Sequence, residues 1–310
     1  MYIEKRKVKG KLKYYLGHSF REGEKIQKLR KFLGIDLDEK TLNERVEKAK
    51  ILILEEIEKY HIIRDPLKFE LSKEEIEYLR SLEKEIPLKI DHLSEKDWQI
   101  FGELFTYHTN AIEGSELNSK EVKEILEEDK WPNKSKEDIA ETYGVNDAIE
   151  FVRETKEHIS LEFILELHKL VFKNSKHFAG QFRKHGEEVV VMGGGKIVHQ
   201  GAPQSRIVGL LKELIEWYEK NKKKYPGIVL ASVVHNQFEN IHPFRDGNGR
   251  VGRLLLNNIL IKNRLPPVNI DLKNRQEYYR ALQSYDKEHN LRPMIELIFK
   301  EYKAFKKSLK

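Results

Sequence analysis

The stretch His242-Pro243-Phe244-Arg245-Asp246-Gly247-Asn248-Gly249-Arg250, followed by Arg253, decides how the rest of this chain is interpreted. Apolar residues recur with a helical period on both sides of it: Val234, Phe238 and Ile241 before, and Val251, Leu254, Leu255 and Ile259 after. Proline disfavours helical backbone at the residue before it, and glycine tolerates strained backbone. The stretch therefore predicts a helix that ends near His242, a tight glycine turn, and a second helix that begins near Gly249.

A turn of this kind is suited to binding phosphate. Its free backbone N–H groups and the N-terminus of the second helix form an anion site, but the helix dipole contributes only about 0.3–1 kcal/mol. Arg250 and Arg253, three residues apart on one helix, supply the charge that is still needed. Asp246 is a hard oxygen ligand suited to Mg²⁺ that bridges phosphate oxygens. His242 has an unperturbed pKa of about 6.5, so it can be neutral at physiological pH and accept a hydroxyl proton.

Two other interpretations exist for these residues. A structural corner between two helices, with a buried histidine, needs none of the phosphate chemistry. Alternatively, His235, Glu239 and His242 share one helical face and could ligate a metal, although their spacing is not His-Glu-x-x-His. Because the phosphate site already accounts for His242, we expect His235 and Glu239 to order the imidazole or to close the core.

The pattern His-Pro-Phe-x-Asp-Gly-Asn-Gly-Arg-x-x-Arg, complete at 242–253, resembles the signature of the Fic-domain family. The resemblance covers roughly residues 93–300 and implies helices bundled around the loop. It also implies transfer of AMP from ATP to a Ser, Thr or Tyr hydroxyl of a target protein, with His242 as the base and Asp246 as the Mg²⁺ ligand. The residues that it assigns to the phosphates are Gly247, Asn248 (through its side-chain amide), Gly249, Arg250 and Arg253.

A second motif lies upstream, at Thr109-Asn110-Ala111-Ile112-Glu113-Gly114. It resembles the inhibitory pattern of the same family, Ser/Thr-x-x-x-Glu-Gly/Asn, at the end of a helix over about 94–113. The resemblance implies that Glu113 pairs with Arg253, which should orient the γ-phosphate, so that ATP binds unproductively. The alternative is an ordinary helix C-terminus at which Gly114 stops the helix.

Residues 187–200 alternate around three glycines and predict a β-hairpin with a flexible tip. By the resemblance, this hairpin is a flap whose edge pairs with the target segment by strand addition. Val190 and Val191 would then face the hydroxyl donor.

Two tyrosines after the core motif resemble family positions near the nucleotide. Tyr278 or Tyr279 could line the adenine pocket, or both could be core aromatics on a helix with Leu282. Asp286 stands where some relatives have Asn, which leaves the base and sugar contacts open.

The N-terminal 34 residues are basic, with eleven Lys and Arg against three Glu, a net charge of +8 when the whole chain carries +6. Three short, partly alternating runs predict an antiparallel meander: Tyr2–Val8, Leu12–Phe20 and Lys25–Phe32. Such a sheet either binds nucleic acid, an acidic partner or anionic lipid, or is a solvated face of a Lys-rich protein.

The chain is thus expected to be mainly α, with three regions: a basic β-meander at 1–34, a helical linker at 35–92 with a soft boundary between 65 and 92, and a Fic-type core at 93–310. No run of about eighteen apolar residues predicts a membrane span, and the N-terminus shows no apolar signal segment. With no cysteine in the chain, a reducing cytoplasm is the expected location.

Other activities stay open at this stage. The same site could remove AMP from a modified protein, or transfer another nucleotide or phosphocholine. The chain could also be a regulatory protein that docks on nucleic acid through residues 1–34. The sequence leaves a homo-oligomer open.

Overall fold

The computed structural model describes residues 1–8, 10–22, 25–62, 71–86, 88–184, 187, 190–193 and 196–309. The chain divides into two compact units, Met1–Asp65 and Pro66–Lys310. In the described ranges, no helix is long and apolar enough to cross a membrane.

The first unit is a three-stranded sheet covered by one helix. Strands β1 (Tyr2–Val8), β2 (Lys11–Glu22) and β3 (Lys25–Ile35) are antiparallel in the order β1-β2-β3, which confirms the predicted meander. Helix α1 (Glu39–Ile62) follows. Because side chains alternate along a strand, one face of the sheet is apolar and packs against the helix. The buried residues of this core are Tyr14, Leu16 and Leu33 from the sheet and Val46, Ala49 and Ile53 from α1.

The second unit is helical, so the prediction of a mainly α fold is confirmed. Its helices are α2 (Lys73–Lys84), α3 (Glu95–Ile112), α4 (Ser119–Glu128), α5 (Lys136–Glu154), α6 (Leu161–Phe172), α7 (Ile207–Asn221), α8 (Gly227–Ile241), α9 (Asn248–Lys262), α10 (Arg275–Glu288) and α11 (Arg292–Ser308). Side-chain caps begin several of them. Ser94 and Asn118, for example, each accept a hydrogen bond from the backbone N–H three residues on, in full capping boxes.

Helices α8 and α9 form the centre of this unit. Thirteen of the fifteen residues of α8 and twelve of the fifteen of α9 are buried, as expected of helices that are covered on all sides. Helix α8 packs against α7, α9, α10 and α11, while α9 also contacts α3, α5 and α6. The two helices that flank the loop are therefore held in place by α3, α5, α6, α7, α10 and α11.

The predicted hairpin at 187–200 is present as two short antiparallel strands, β4 (Val190–Gly193) and β5 (Lys196–Gln200). Residues 188, 189, 194 and 195 lie outside the described residues, as do the side chains of 190–200. The expectation that Val190 and Val191 face a hydroxyl donor therefore concerns side chains that the structure does not describe.

Candidate active site

The end of α8 aims the imidazole of His242. This residue has left-handed backbone (φ 52°, ψ 61°) and its N–H still bonds Phe238 O, so the chain turns sharply after the helix. Its Nδ1 lies 3.2 Å from the carbonyl oxygen of Glu239. Because a carbonyl can only accept, Nδ1 carries the proton and the neutral ring has its lone pair on Nε2.

Arg183 anchors the same turn from outside the motif. Its Nε donates to His242 O at 2.8 Å, and its backbone N–H donates to Pro243 O at 3.0 Å. Its Nη2 donates to Ala202 O, just after the hairpin. One buried guanidinium thus ties the hairpin's end to the loop that carries His242.

A histidine from α6 packs against the loop between α8 and α9. The ring of His168, on α6, stacks on Phe244 with centroids 3.8 Å apart. Gly180 N–H donates to His168 Nδ1 at 2.8 Å, so Nε2 donates to Asp246 O at 3.2 Å. Burial lowers the pKa of His168 to about 4, which keeps the ring neutral and its tautomer fixed at physiological pH.

Crowding explains the glycines of the turn. Gly247 has φ +83°, and a Cβ there would overlap the Phe172 ring. A Cβ at Gly249 would overlap the Glu113 carboxylate and approach Arg253 Nη1 to 3.0 Å. Both positions therefore need a bare backbone, and at Gly249 the Glu113 carboxylate fills the space beside the N-terminus of α9.

Asn248 has a structural role in this loop. Its Oδ1 accepts from Phe244 N at 2.8 Å and its Nδ2 donates to Phe244 O at 2.9 Å. Both ends of the amide that the resemblance assigned to phosphate are therefore engaged in holding the turn. The backbone N–H groups at the start of α9 are therefore the candidate donors to an anion.

Arg250 is held by carboxylates on both sides. Its Nη1 donates to Glu141 on α5, and its Nη2 donates to Asp246 Oδ1 at 3.3 Å. The guanidinium also lies 4.5 Å from the centroid of the Phe172 ring. These contacts fix the positive charge beside the turn, next to the carboxylate that we expect to bind metal.

Arg253 is enclosed by the end of α3, and only 2% of its side chain is exposed. Its Nε donates to Thr109 Oγ1 (2.7 Å), and its Nη2 donates to Thr109 O (3.1 Å) and to Glu113 Oε1 (2.7 Å). Gly114 ends the helix with φ +103°. The pair implied by the upstream motif is thus formed, and the threonine of the motif contacts the same arginine.

A buried polar cluster lies behind Arg253. Tyr278 OH accepts from Arg253 Nη1 at 3.3 Å and bonds His235 Nε2 at 2.9 Å. Burial lowers the pKa of His235 to about 3, and burial raises the pKa of Glu239 to about 8, although Arg253 acts in the opposite sense on Glu239. This placement of Tyr278 corresponds to the core-aromatic alternative, because its hydroxyl supports the arginine.

Tyr279 lies at the other side of the α3 end. Its hydroxyl accepts from Arg275 Nε at 3.0 Å and donates to Ile112 O at 3.3 Å. The tyrosine therefore contacts the last turn of the helix that carries Glu113.

Asp246 is the carboxylate of the turn that we expect to bind a metal. Its side chain is 45% exposed, and among the described residues its hydrogen bond is with Arg250. In the ranges that the structure describes, no three His, Asp or Glu side chains are grouped to hold a metal alone. Mg²⁺ is commonly bound through one or two carboxylates, water and substrate phosphates, so a single aspartate beside an anion site fits it.

Two residues that hold the side chains of the site in place were not indicated by the sequence. Glu141 and His168 belong to no motif, and they lie 109 and 78 residues before their partners Arg250 and Asp246. Only a buried polar position on an otherwise apolar helix face could have suggested them.

The fold and site together define a helical domain in which a glycine turn, two arginines and an aspartate lie beside a histidine. Residues 158–260 match the model of the Fic/DOC family. This part of the chain is therefore similar to Fic/DOC domains.

Sequence and structure comparisons also find similarity to Fic proteins. Protein adenylyltransferase fic-1 of Caenorhabditis elegans is 34% identical over 209 residues, 65% of this chain and 40% of that protein. Protein adenylyltransferase Fic of Nematostella vectensis is 30% identical over 199 residues, 62% of this chain and 45% of that protein. A solved fragment of C. elegans Fic-1 superposes with a TM-score of 0.59 at 26% identity, covering 87% of this chain and 75% of that one. The matched part is thus less than half of each curated relative.

Proposed function

We propose that this chain transfers AMP from ATP to a hydroxyl side chain of a protein and that Glu113 restrains the transfer. The observation that carries the proposal is the α8–α9 corner, where a histidine base, a carboxylate, bare backbone N–H groups and two arginines converge. Support also comes from the relatives, which are named protein adenylyltransferases. Since the chain has no cysteine, we place this reaction in a reducing cytoplasm.

In the proposed reaction, the target hydroxyl oxygen attacks the α-phosphorus of ATP. Its proton passes to Nε2 of His242, which the contact between Nδ1 and Glu239 O leaves as the basic nitrogen. The bond from the α-phosphorus to the bridging oxygen breaks, and pyrophosphate leaves. The products are an AMP ester of the target, pyrophosphate and the proton on His242, so atoms and charge balance.

The phosphates are proposed to bind at the N-terminus of α9. Backbone N–H groups of Gly247–Gly249 donate to the phosphate oxygens, and Arg250 and Arg253 offset their charge. Asp246 would hold Mg²⁺, which would neutralise part of the phosphate charge. The target segment adds as a strand beside β4, at Val190 and Val191.

Restraint is proposed to arise from the pair between Glu113 and Arg253. The Glu113 carboxylate lies so close to Gly249 that any Cβ at this glycine would overlap it. It therefore stands where a phosphate on the turn would be, and it occupies Nη2 of the arginine. ATP can then bind only with its outer phosphates displaced, and the α-phosphorus is misaligned with His242.

Intact mass after incubation with ATP and Mg²⁺ tests the proposal. The parent, Glu113→Gly and the double variant Glu113→Gly/His242→Ala are compared. We expect self-modification by one AMP unit in the single variant and none in the double variant. No gain in any of them, with or without an added protein extract as target, would contradict adenylyl transfer. A gain in the double variant would contradict the role of His242.

A further inference from the structure

The face of the N-terminal sheet opposite α1 is a charged surface that the proposed reaction does not use. Tyr14, Leu16 and Leu33 pack on α1, so by strand alternation and register their neighbours point to the other side. This outer face carries six cations from all three strands: Arg6, Lys11, Lys13, Arg21, Lys28 and Arg30. Among the described residues of the face, Glu4 is the one carboxylate.

Aromatic rings on the same face hold the arginines in place. Arg30 lies 4.6 Å and Arg6 5.8 Å from the centroid of the Tyr15 ring, which contacts Phe32 at 5.2 Å. Phe32 is 56% exposed, although phenylalanine side chains are usually buried in a core. The faces of Tyr15 are thus covered by guanidinium groups and are not presented for stacking on single-stranded bases.

The outer face is comparable in width to a duplex groove. Neighbouring strands are about 4.8 Å apart, so the axes of the two outer strands lie roughly 10 Å apart before side chains are added, against about 12 Å for the major groove of B-DNA. Phosphates line both rims of that groove, and strands are a known means of entering it. Positive charge spread over every strand suits such a regular polyanion better than a single acidic side chain or pocket.

We infer that this outer face binds double-stranded DNA. The lysines of the face contact phosphates, and Arg6 and Arg30 lie beside the Tyr15 ring, where both also pair with Glu4. The inference is independent of adenylyl transfer, because it uses none of the residues of the α8–α9 corner.

The test compares two double variants of the full chain. Lys13→Gln/Lys28→Gln removes two charges from the outer face, where neither lysine has an ion pair among the described residues. The matched control, Lys40→Gln/Lys48→Gln, removes the same charge from exposed positions of α1. Binding to a labelled mixed-sequence DNA duplex is followed by fluorescence anisotropy between about 50 and 200 mM salt.

We expect the parent to bind with an affinity that falls steeply with salt. Each lost phosphate contact lowers the slope of log K against log salt by about 0.9, so the face variant should lose about 1.8 in slope and roughly 60-fold in affinity at about 0.1 M salt. The control variant should keep the salt slope and the affinity of the parent. Failure of the parent to bind at the lowest salt, or equal weakening by the control, would overturn the inference. If polyglutamate or single-stranded DNA bound more tightly than the duplex, the inferred partner would be an acidic protein or a single strand, and the inference of duplex binding would be wrong.

Discussion

Replacing Glu113 with glycine should release Arg253 without dismantling its site. The arginine keeps both bonds to Thr109 and the bond from Nη1 to Tyr278, so its position is retained. What disappears is one charged hydrogen bond of 2.7 Å. Bonds to charged groups contribute about 1.5–3 kcal/mol. Since 30% of the Glu113 side chain is exposed, solvent screening favours the lower part of that range, about 2 kcal/mol.

That energy sets the expected rise in rate. If the carboxylate and the γ-phosphate compete for one guanidinium, about 2 kcal/mol corresponds to a roughly 30-fold larger productive fraction of bound ATP. The effect should appear in kcat at saturating ATP, measured as initial incorporation of AMP. Glu113→Gln, which keeps an oxygen acceptor but loses the charge, should give a smaller increase.

Glu116→Gly is the matched control, because it removes the same charge from the exposed segment after α3 without touching Arg253. It should leave the rate at the parent value. An unchanged rate in Glu113→Gly, or an equal rise in the control, would refute the competition between carboxylate and phosphate.

Three further outcomes are expected. His242→Ala should lower the transfer rate by about 10²–10⁴ while calorimetry finds the ATP affinity of the parent; lost ATP binding would argue against a purely basic role. Gly247→Ala should lower the free energy of unfolding in urea by about 1–3 kcal/mol more than Gly114→Ala, because both sites have positive φ but only the former meets the Phe172 ring; equal losses would show that the ring moves aside. For Glu239, burial raises the pKa in the folded state from 4.5 to about 8, so the folded state binds this proton more tightly and the parent loses stability as pH rises through that interval. Glu239→Gln should therefore gain stability relative to the parent between pH 4.5 and 8, and a pH-independent difference in urea denaturation would contradict the raised pKa.

Much of the candidate site could be predicted because its parts are close in sequence. Helix period, one proline and two glycines determine the backbone from α8 to α9 locally, and they place His242 and Asp246 at the turn whatever surrounds it. The meander was predictable for the same reason, since alternation and turns are local signals. The pair between Glu113 and Arg253 is formed by residues 140 positions apart, and only the resemblance to a family pattern indicated it.

The other partners of the side chains in the site were decided by the tertiary structure. Glu141 reaches Arg250 from α5, Tyr278 supports Arg253 from α10, and α1 joins the core of the sheet although its sequence indicated a linker. The Asn248 side chain likewise bonds the backbone N–H and carbonyl of Phe244. These two backbone groups are buried in the turn and have no other partner among the described residues. The physical reason is that the sequence specifies which groups are polar and where the backbone can bend. Which buried polar groups meet depends on how the helices pack, and burial then requires each of them to find a partner.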